Sequence, residues 1–280
     1  MSVLQAILLG VVQGVTEFLP ISSSGHLILV PWLGNFHYLQ DHEHFNKTFD
    51  VALHLGTLFG VFAYFRVEIR QMIEGLAGLA RHRAVTNDSE RLALIIAIGT
   101  IPAIIVGGIG QNWIDDHLGE PWQIAIFLAV FGLLLGWADR LPQRRGIEGI
   151  KPRDALKIGL AQAVALAPGV SRSGITITAG RALGLDRDSA ARFSFLLLVP
   201  AVGGAVVLKG AGVVKDGLPH GAAGPMLAGI VAAAISSYFA IAWLLAYVRR
   251  NSYDVFVVYR LIAAAIILLL IATGIKDANF

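Results

Sequence analysis

Long apolar runs separated by short polar loops fill most of this 280-residue sequence, and hydrocarbon leaves such a chain few ways to fold. Without water at hand, every backbone N–H and C=O in a spanning segment must be satisfied internally, so these runs are read as α-helices. Six are legible, over 51–65, 92–114, 122–138, 193–208, 222–248 and 255–275. Two further apolar stretches, 3–33 and 155–180, are interrupted. The first is broken at Pro20-Ile21-Ser22-Ser23-Ser24-Gly25 and the second at Pro168-Gly169-Val170-Ser171-Arg172-Ser173-Gly174. An unbroken helix fits poorly through either, and each predicts two half-helices forming a re-entrant hairpin.

Composition agrees with an all-α integral membrane protein. Hydrophobic residues make up 56% and charged residues 15%, with mean hydropathy +0.69, whereas a soluble domain carries nearer a quarter charged. The net charge of +3 is carried largely by loop cations, which reads as a topology signal; nucleic acid is not an expected partner. The absence of cysteine excludes disulfides, thiolate nucleophiles and cysteine metal sites. Met1 to Pro20 lacks a basic leader, so a cleaved signal peptide is not expected.

The chain repeats itself. At an offset of 149, Ala6, Gly10, Gln13, Val15, Ser22, Ser24 and Gly25 meet Ala155, Gly159, Gln162, Val164, Ser171, Ser173 and Gly174. A single membrane domain over 1–280 then divides into repeats 1–145 and 150–280, with the basic stretch 140–157 at the boundary. Each repeat holds a broken hairpin and three spans. An odd number of crossings per half inverts the second half relative to the first. The segment 66–91 reads as a basic loop. Placing it in the cytoplasm puts sixteen of the 22 Lys and Arg residues on that side, as the positive-inside rule requires. Lys47, Lys209, Lys215 and Lys276 fall outside, Arg172 and Arg260 fall in the membrane, and the hairpins enter from opposite faces.

Gln13 and Glu17 are four apart and share a helix face. A carboxylate in an apolar segment is a functional-site hypothesis by default, and Ser22, Ser23, Ser24 and His26 follow closely. In the second stretch, Gly169 and Gly174 permit an open backbone whose N–H groups can face an anion. Ser171, Ser173 and Thr176 add hydroxyls, and Arg172 adds the planar fork suited to phosphate oxygens. The halves are chemically unequal: Glu17 is matched by Leu166, and Arg172 by Ser23. One half supplies a base and the other a charge stabiliser, a division that a hydrolytic site uses.

The stretch from Gln13 to His26 resembles the Glu/Gln-rich motif of the bacterial undecaprenyl-diphosphate phosphatase (bacitracin-resistance) family. Pro168 to Thr176 resembles that family's Pro-Gly-x-Ser-Arg-Ser-x-x-Thr signature. The resemblance implies hydrolysis of the terminal phosphate of undecaprenyl diphosphate, recycling the lipid carrier of cell-wall glycans in the bacterial cytoplasmic (inner) membrane. It implies a site comprising Glu17, Ser22, Ser23, His26, Ser171, Arg172, Ser173 and Thr176, and stimulation by Mg²⁺ or Ca²⁺ with Glu17 as a metal ligand. Gln13 stands where the pattern admits Glu or Gln, which puts a two-carboxylate metal site in doubt. On chemical grounds Arg172 is the charge clamp and Ser23 the nucleophile activated by Glu17; His26 protonates the leaving group or attacks itself, and an activated water is a third option. The expected partners are the polyprenyl diphosphate and membrane lipids, and a homodimer is compatible with the pattern. Inverted repeats with broken helices are also a transporter architecture, so a polyprenyl-phosphate flippase is the rival reading. A non-catalytic lipid-binding protein explains the anion loop but not Glu17, Ser23 and His26.

Weaker signals are read blandly. His37, His42, Glu43 and His44 read as an aqueous rim rather than metal ligands. Asp50 and His54 are placed at the cavity mouth. Arg260 is expected to snorkel to the cytoplasmic interface, and Ala232 to Ser237 to form a small-residue packing face.

Overall fold

A computed structural model describes residues 1–36, 43–143, 145–216 and 222–278, without the side chains of 43–45, 47 and 208–216. Helix α1 (Val3–Phe18) starts at a capping box in which Ser2 Oγ accepts from the Gln5 N–H and the Gln5 side chain accepts in return. It stops before Pro20, which cannot continue a helix. Helix α2 (Ser23–Gly34) begins at Ser22, whose Oγ accepts from the Gly25 N–H at 3.4 Å. Helix α3 (Glu43–Tyr64) meets α4 (Arg66–His82) at a 92° bend. Two spans follow, α5 (Asp88–His117) and α6 (Pro121–Asp139). The second broken pair is α7 (Pro152–Val164) and α8 (Arg172–Ala182), and α9 (Arg187–Asp216), α10 (Ala223–Val248) and α11 (Asp254–Ala272) complete the chain.

Five of these helices, α5, α6, α9, α10 and α11, are long and apolar enough to cross a membrane, and the bent α3–α4 pair makes a sixth candidate. No strand occurs among the described residues beyond a lone bridge between Arg145 and Leu185. The protein is an all-α, multi-pass membrane protein.

The expected basic loop 66–91 is overturned over most of its length, because residues 66–82 are helical. Ile69, Met72, Ile73 and Leu76 recur every three or four residues, with Arg70, Glu74 and Arg81 opposite them. Met72 and Gly75 bury against α5, where a side chain on Gly75 would strike the Ser89 backbone. Ile73 and Leu76 stay exposed, as in a helix lying along the membrane interface.

Small residues let the hairpins approach the spans closely. Gly10 and Gly14 of α1 and Gly56 and Gly60 of α3 lie against the Gly229 to Ser237 face of α10, and a Cβ on any of them would collide with it. Gly159 of α7 abuts Gly99 of α5 as Gly10 abuts Gly229. At the basic end, the buried Arg181 and the half-buried Arg187 share Asp139, whose Oδ2 also accepts the Tyr253 N–H, tying α6, α8, α9 and the start of α11.

Candidate active site

Both hairpin turns are built alike. Ser22 and Ser171 adopt φ of 77° and 75°, and each Oγ accepts the N–H three residues on, from Gly25 and Gly174. Such a φ is costly for a residue with a Cβ, and the cap hydrogen bond offsets part of that cost. Gly169 has φ 97°, and a Cβ there would meet the Ile124 backbone of α6.

Glu17 is the hub. It is 4% exposed, at the end of α1, and its two carboxylate oxygens are divided between partners. Oε2 accepts from Ser23 Oγ at 2.6 Å and from Gln13 Nε2 at 3.0 Å, while Oε1 accepts from Arg172 Nη2 at 3.1 Å. Arg172 Nη1 donates to the Ser194 carbonyl at 2.8 Å, and its Nε–H is buried without a protein partner among the described residues. The turns that bring the chain to Ser23 and to Arg172 thus set a carboxylate, a hydroxyl and a guanidinium side by side. Removing one member of such a buried pair leaves the other charge uncompensated.

The remaining expected residues divide into those near the hub and those holding the turns. Ser22 and Ser171 are the caps, and Ser24 lies 3.5 Å from Ser22. Ser173 Oγ donates to the Leu19 carbonyl at 3.1 Å, linking the second turn to the first. Thr176 Oγ1 bonds the Arg172 carbonyl and Ser194 Oγ, both at 2.7 Å, and so steadies the turn that carries Arg172. His26 faces elsewhere: Nδ1 lies 2.7 Å from the Ser22 carbonyl and Nε2 lies 2.6 Å from Tyr259 Oη. A carbonyl only accepts, so Nδ1 carries the proton and Nε2 takes the phenol hydrogen.

Two site groups are poorly visible in the sequence. His54, expected only at the mouth, sets Nε2 3.7 Å from Glu17 Oε2 and anchors Nδ1 on the Asp50 carbonyl at 2.7 Å. Arg260 does not snorkel; it is fully buried. It donates to the carbonyls of Pro20, Gly169, Val170, Phe127 and Leu128, at 2.9 to 3.2 Å. Broken helices strand carbonyls that must find donors, and guanidinium offers five in a fixed fork. The histidine-rich segment containing His37, His42, Glu43 and His44 lies outside the described residues and side chains.

The donor set does not fit a resident Mg²⁺ or Ca²⁺. These ions take six or more oxygen ligands. Here Glu17 is the lone carboxylate among the described residues, both its oxygens are engaged, and Arg172 stands against it. Among the described residues no three His, Cys, Asp or Glu side chains converge. A cavity of about 260 Å³, lined by Phe65, Glu68, Arg91, Arg192 and Leu196 among others, shares no residue with the site. The edge-to-face series Phe18, Phe195 and Phe65 runs from beside Glu17 to that cavity's wall.

A family model described as bacitracin resistance protein BacA matches residues 6–266. An undecaprenyl-diphosphatase of Pelobacter propionicus is 44% identical over 278 residues, covering 99% of this chain and 100% of that protein. Undecaprenyl-diphosphatases of Geobacter sulfurreducens and Moorella thermoacetica are 46% and 45% identical, over 96% and 95% of this chain and 98% and 97% of theirs.

Proposed function

The chain belongs to the bacitracin resistance protein BacA family, and on that premise we propose that Glu17, Ser23 and Arg172 are the hydrolytic centre of an undecaprenyl-diphosphate phosphatase. The reaction removes the terminal phosphate of undecaprenyl diphosphate and returns undecaprenyl phosphate to cell-wall synthesis, which underlies bacitracin resistance. The observation that carries the residue assignment is the 2.6 Å hydrogen bond from Ser23 Oγ to Glu17 Oε2, beside a guanidinium from the other hairpin.

Ser23 Oγ attacks the terminal phosphorus as its proton passes to Glu17 Oε2, and the bond to the bridging oxygen breaks, releasing the lipid phosphate. Arg172 stands against the charge that gathers on the phosphoryl oxygens. The proton on Glu17 passes on to the departing phosphate; water then attacks the phosphoserine, its proton moving through Glu17 to the leaving Ser23 Oγ as inorganic phosphate is released. Attack by His26 is disfavoured, because Nδ1 is held by Ser22 and Nε2 by Tyr259. To protonate the leaving phosphate, His26 must first release the Nδ1–H that it gives to the Ser22 carbonyl, since Nε2 accepts from Tyr259. The residues present do not fit a bound divalent cation.

The matched caps at Ser22 and Ser171, and the matched contacts of Gly10 and Gly159, support two inverted repeats, 1–145 and 150–280. Assigning the basic loops to the cytoplasm, by the positive-inside rule, argues for a site open to the external leaflet of the cytoplasmic membrane. Glu17, Ser23 and Arg172 all come from one chain.

The test is phosphate release by purified protein in detergent from a short prenyl diphosphate. Detergent abolishes the two compartments that a flippase needs, so turnover there identifies an enzyme. Wild-type turnover retained by Glu17→Gln and Arg172→Ala would remove those residues from the centre.

A further inference from the structure

The family resemblance implies a divalent cation, yet the candidate site has no place prepared for one. That mismatch points to where the cation comes from. Gln13 occupies the position from which a second carboxylate would face Glu17, and its Nε2 donates to Glu17 Oε2 at 3.0 Å. An amide hydrogen thus fills the coordination direction that a metal would use. The other oxygen of Glu17 is held by Arg172, whose permanent charge repels a dication with twice the force it exerts on a monovalent ion.

One atom could argue the other way. Gln13 Oε1 is buried without a partner among the described residues, as an oxygen ligand awaiting an ion would be. However, Gln162, at the matching place in the second half, has the same unpartnered Oε1, and there the residue corresponding to Glu17 is Leu166. The orphaned oxygen therefore belongs to the shared hairpin geometry and marks no cation.

We infer that the cation reaches this protein on its substrate: the ligand recognised is a metal–diphosphate complex, and the free protein holds no divalent ion at Glu17. Mg²⁺ in particular keeps its waters and binds through substrate phosphates more readily than in all-protein cages. In such a complex, the metal neutralises part of the diphosphate charge while Arg172 and the turn N–H groups meet the rest. The inference rests on the phosphatase reading for the identity of the diphosphate. The cation's absence from the free protein stands on the donor set alone.

The test uses full-length protein in detergent, stripped with chelator, with Mn²⁺ as the probe and its free-ion electron paramagnetic resonance signal as the readout. Wild type is expected to bind no stoichiometric Mn²⁺ alone, and to bind it when a non-hydrolysable prenyl methylenediphosphonate is added. Gln13→Glu, which supplies the missing carboxylate, is expected to gain Mn²⁺ affinity about tenfold or more without any diphosphate. Stoichiometric binding by wild type alone, lost in Glu17→Gln, overturns the inference; so does a folded Gln13→Glu protein that binds no better than wild type. Should Gln13→Glu fail to fold, the wild-type arms still decide. A parallel phosphate-release assay keeps the two readings apart: no turnover at any metal concentration defeats the phosphatase reading and leaves the Mn²⁺ result standing.

Discussion

Arg172 reaches Glu17 across 155 positions of chain, Nη2 to Oε1 at 3.1 Å, with the two side chains 13% and 4% exposed. Neither charge has another oppositely charged side chain in hydrogen-bond contact among the described residues. Glu17→Gln and Arg172→Ala are each expected to lower phosphate release by roughly 10²- to 10⁴-fold. The double variant should cost little more than the worse single one, because both changes dismantle one unit. Turnover in a double-mutant cycle checks this.

The serines of the first turn are expected to separate by role. Ser23→Ala removes the hydroxyl on Glu17 and should cost roughly 10³-fold or more in turnover. Ser24→Ala, whose hydroxyl has only a 3.5 Å contact with Ser22, should stay within a few-fold. Ser22→Ala and Ser171→Ala should register chiefly as stability losses of about 1 kcal/mol or more, from the lost cap. Turnover and thermal unfolding, measured together, distinguish the three outcomes.

His54 faces the oxygen that Ser23 uses, and its exposure of 27% makes it the less enclosed neighbour of Glu17. His54→Leu should lower turnover roughly tenfold or more, by removing a polar neighbour of a buried charge. His54→Gln, which keeps a donor, should retain most activity. Equal losses in the two variants would show that only ring volume matters.

Arg260 should prove a stability residue first. Arg260→Gln leaves several buried carbonyls without donors, at about 1–3 kcal/mol each. Arg260→Lys should rescue little, since an ammonium carries three donors and cannot span the same fork. Unfolding midpoints in detergent provide the measurement.

Close packing gives a last contrast. Gly14→Ala drives a methyl into Ser236 and the Ala233 carbonyl and should destabilise by about 1–3 kcal/mol. Gly203→Ala meets nothing within 4 Å and should be neutral or stabilise by about 0.5–1 kcal/mol, as alanine does inside a helix.

What could be read in advance follows from how local each signal is. Both broken hairpins were legible because proline, glycine and serine runs stand out against apolar sequence, and Glu17 and Arg172 because charge there demands a partner. Helix α4 was also legible, but its cations at 66, 70 and 81 suggested a loop while the spacing of Ile69, Met72, Ile73 and Leu76 carried the helix. Arg260 was not, because its partners are backbone carbonyls brought from three other parts of the chain. His54 was half legible: its helix was clear, but its distance to Glu17 depends on how α3 packs against α1.

The single guanidinium of Arg260 is pinned to the turns of both hairpins at once. A rocking motion that parted them would cost Arg260 the carbonyl of Pro20 or those of Gly169 and Val170, in an interior with no water to replace them. One guanidinium thus fastens the two turns to each other, so that the floor on which Glu17 and Arg172 meet is built as a single piece.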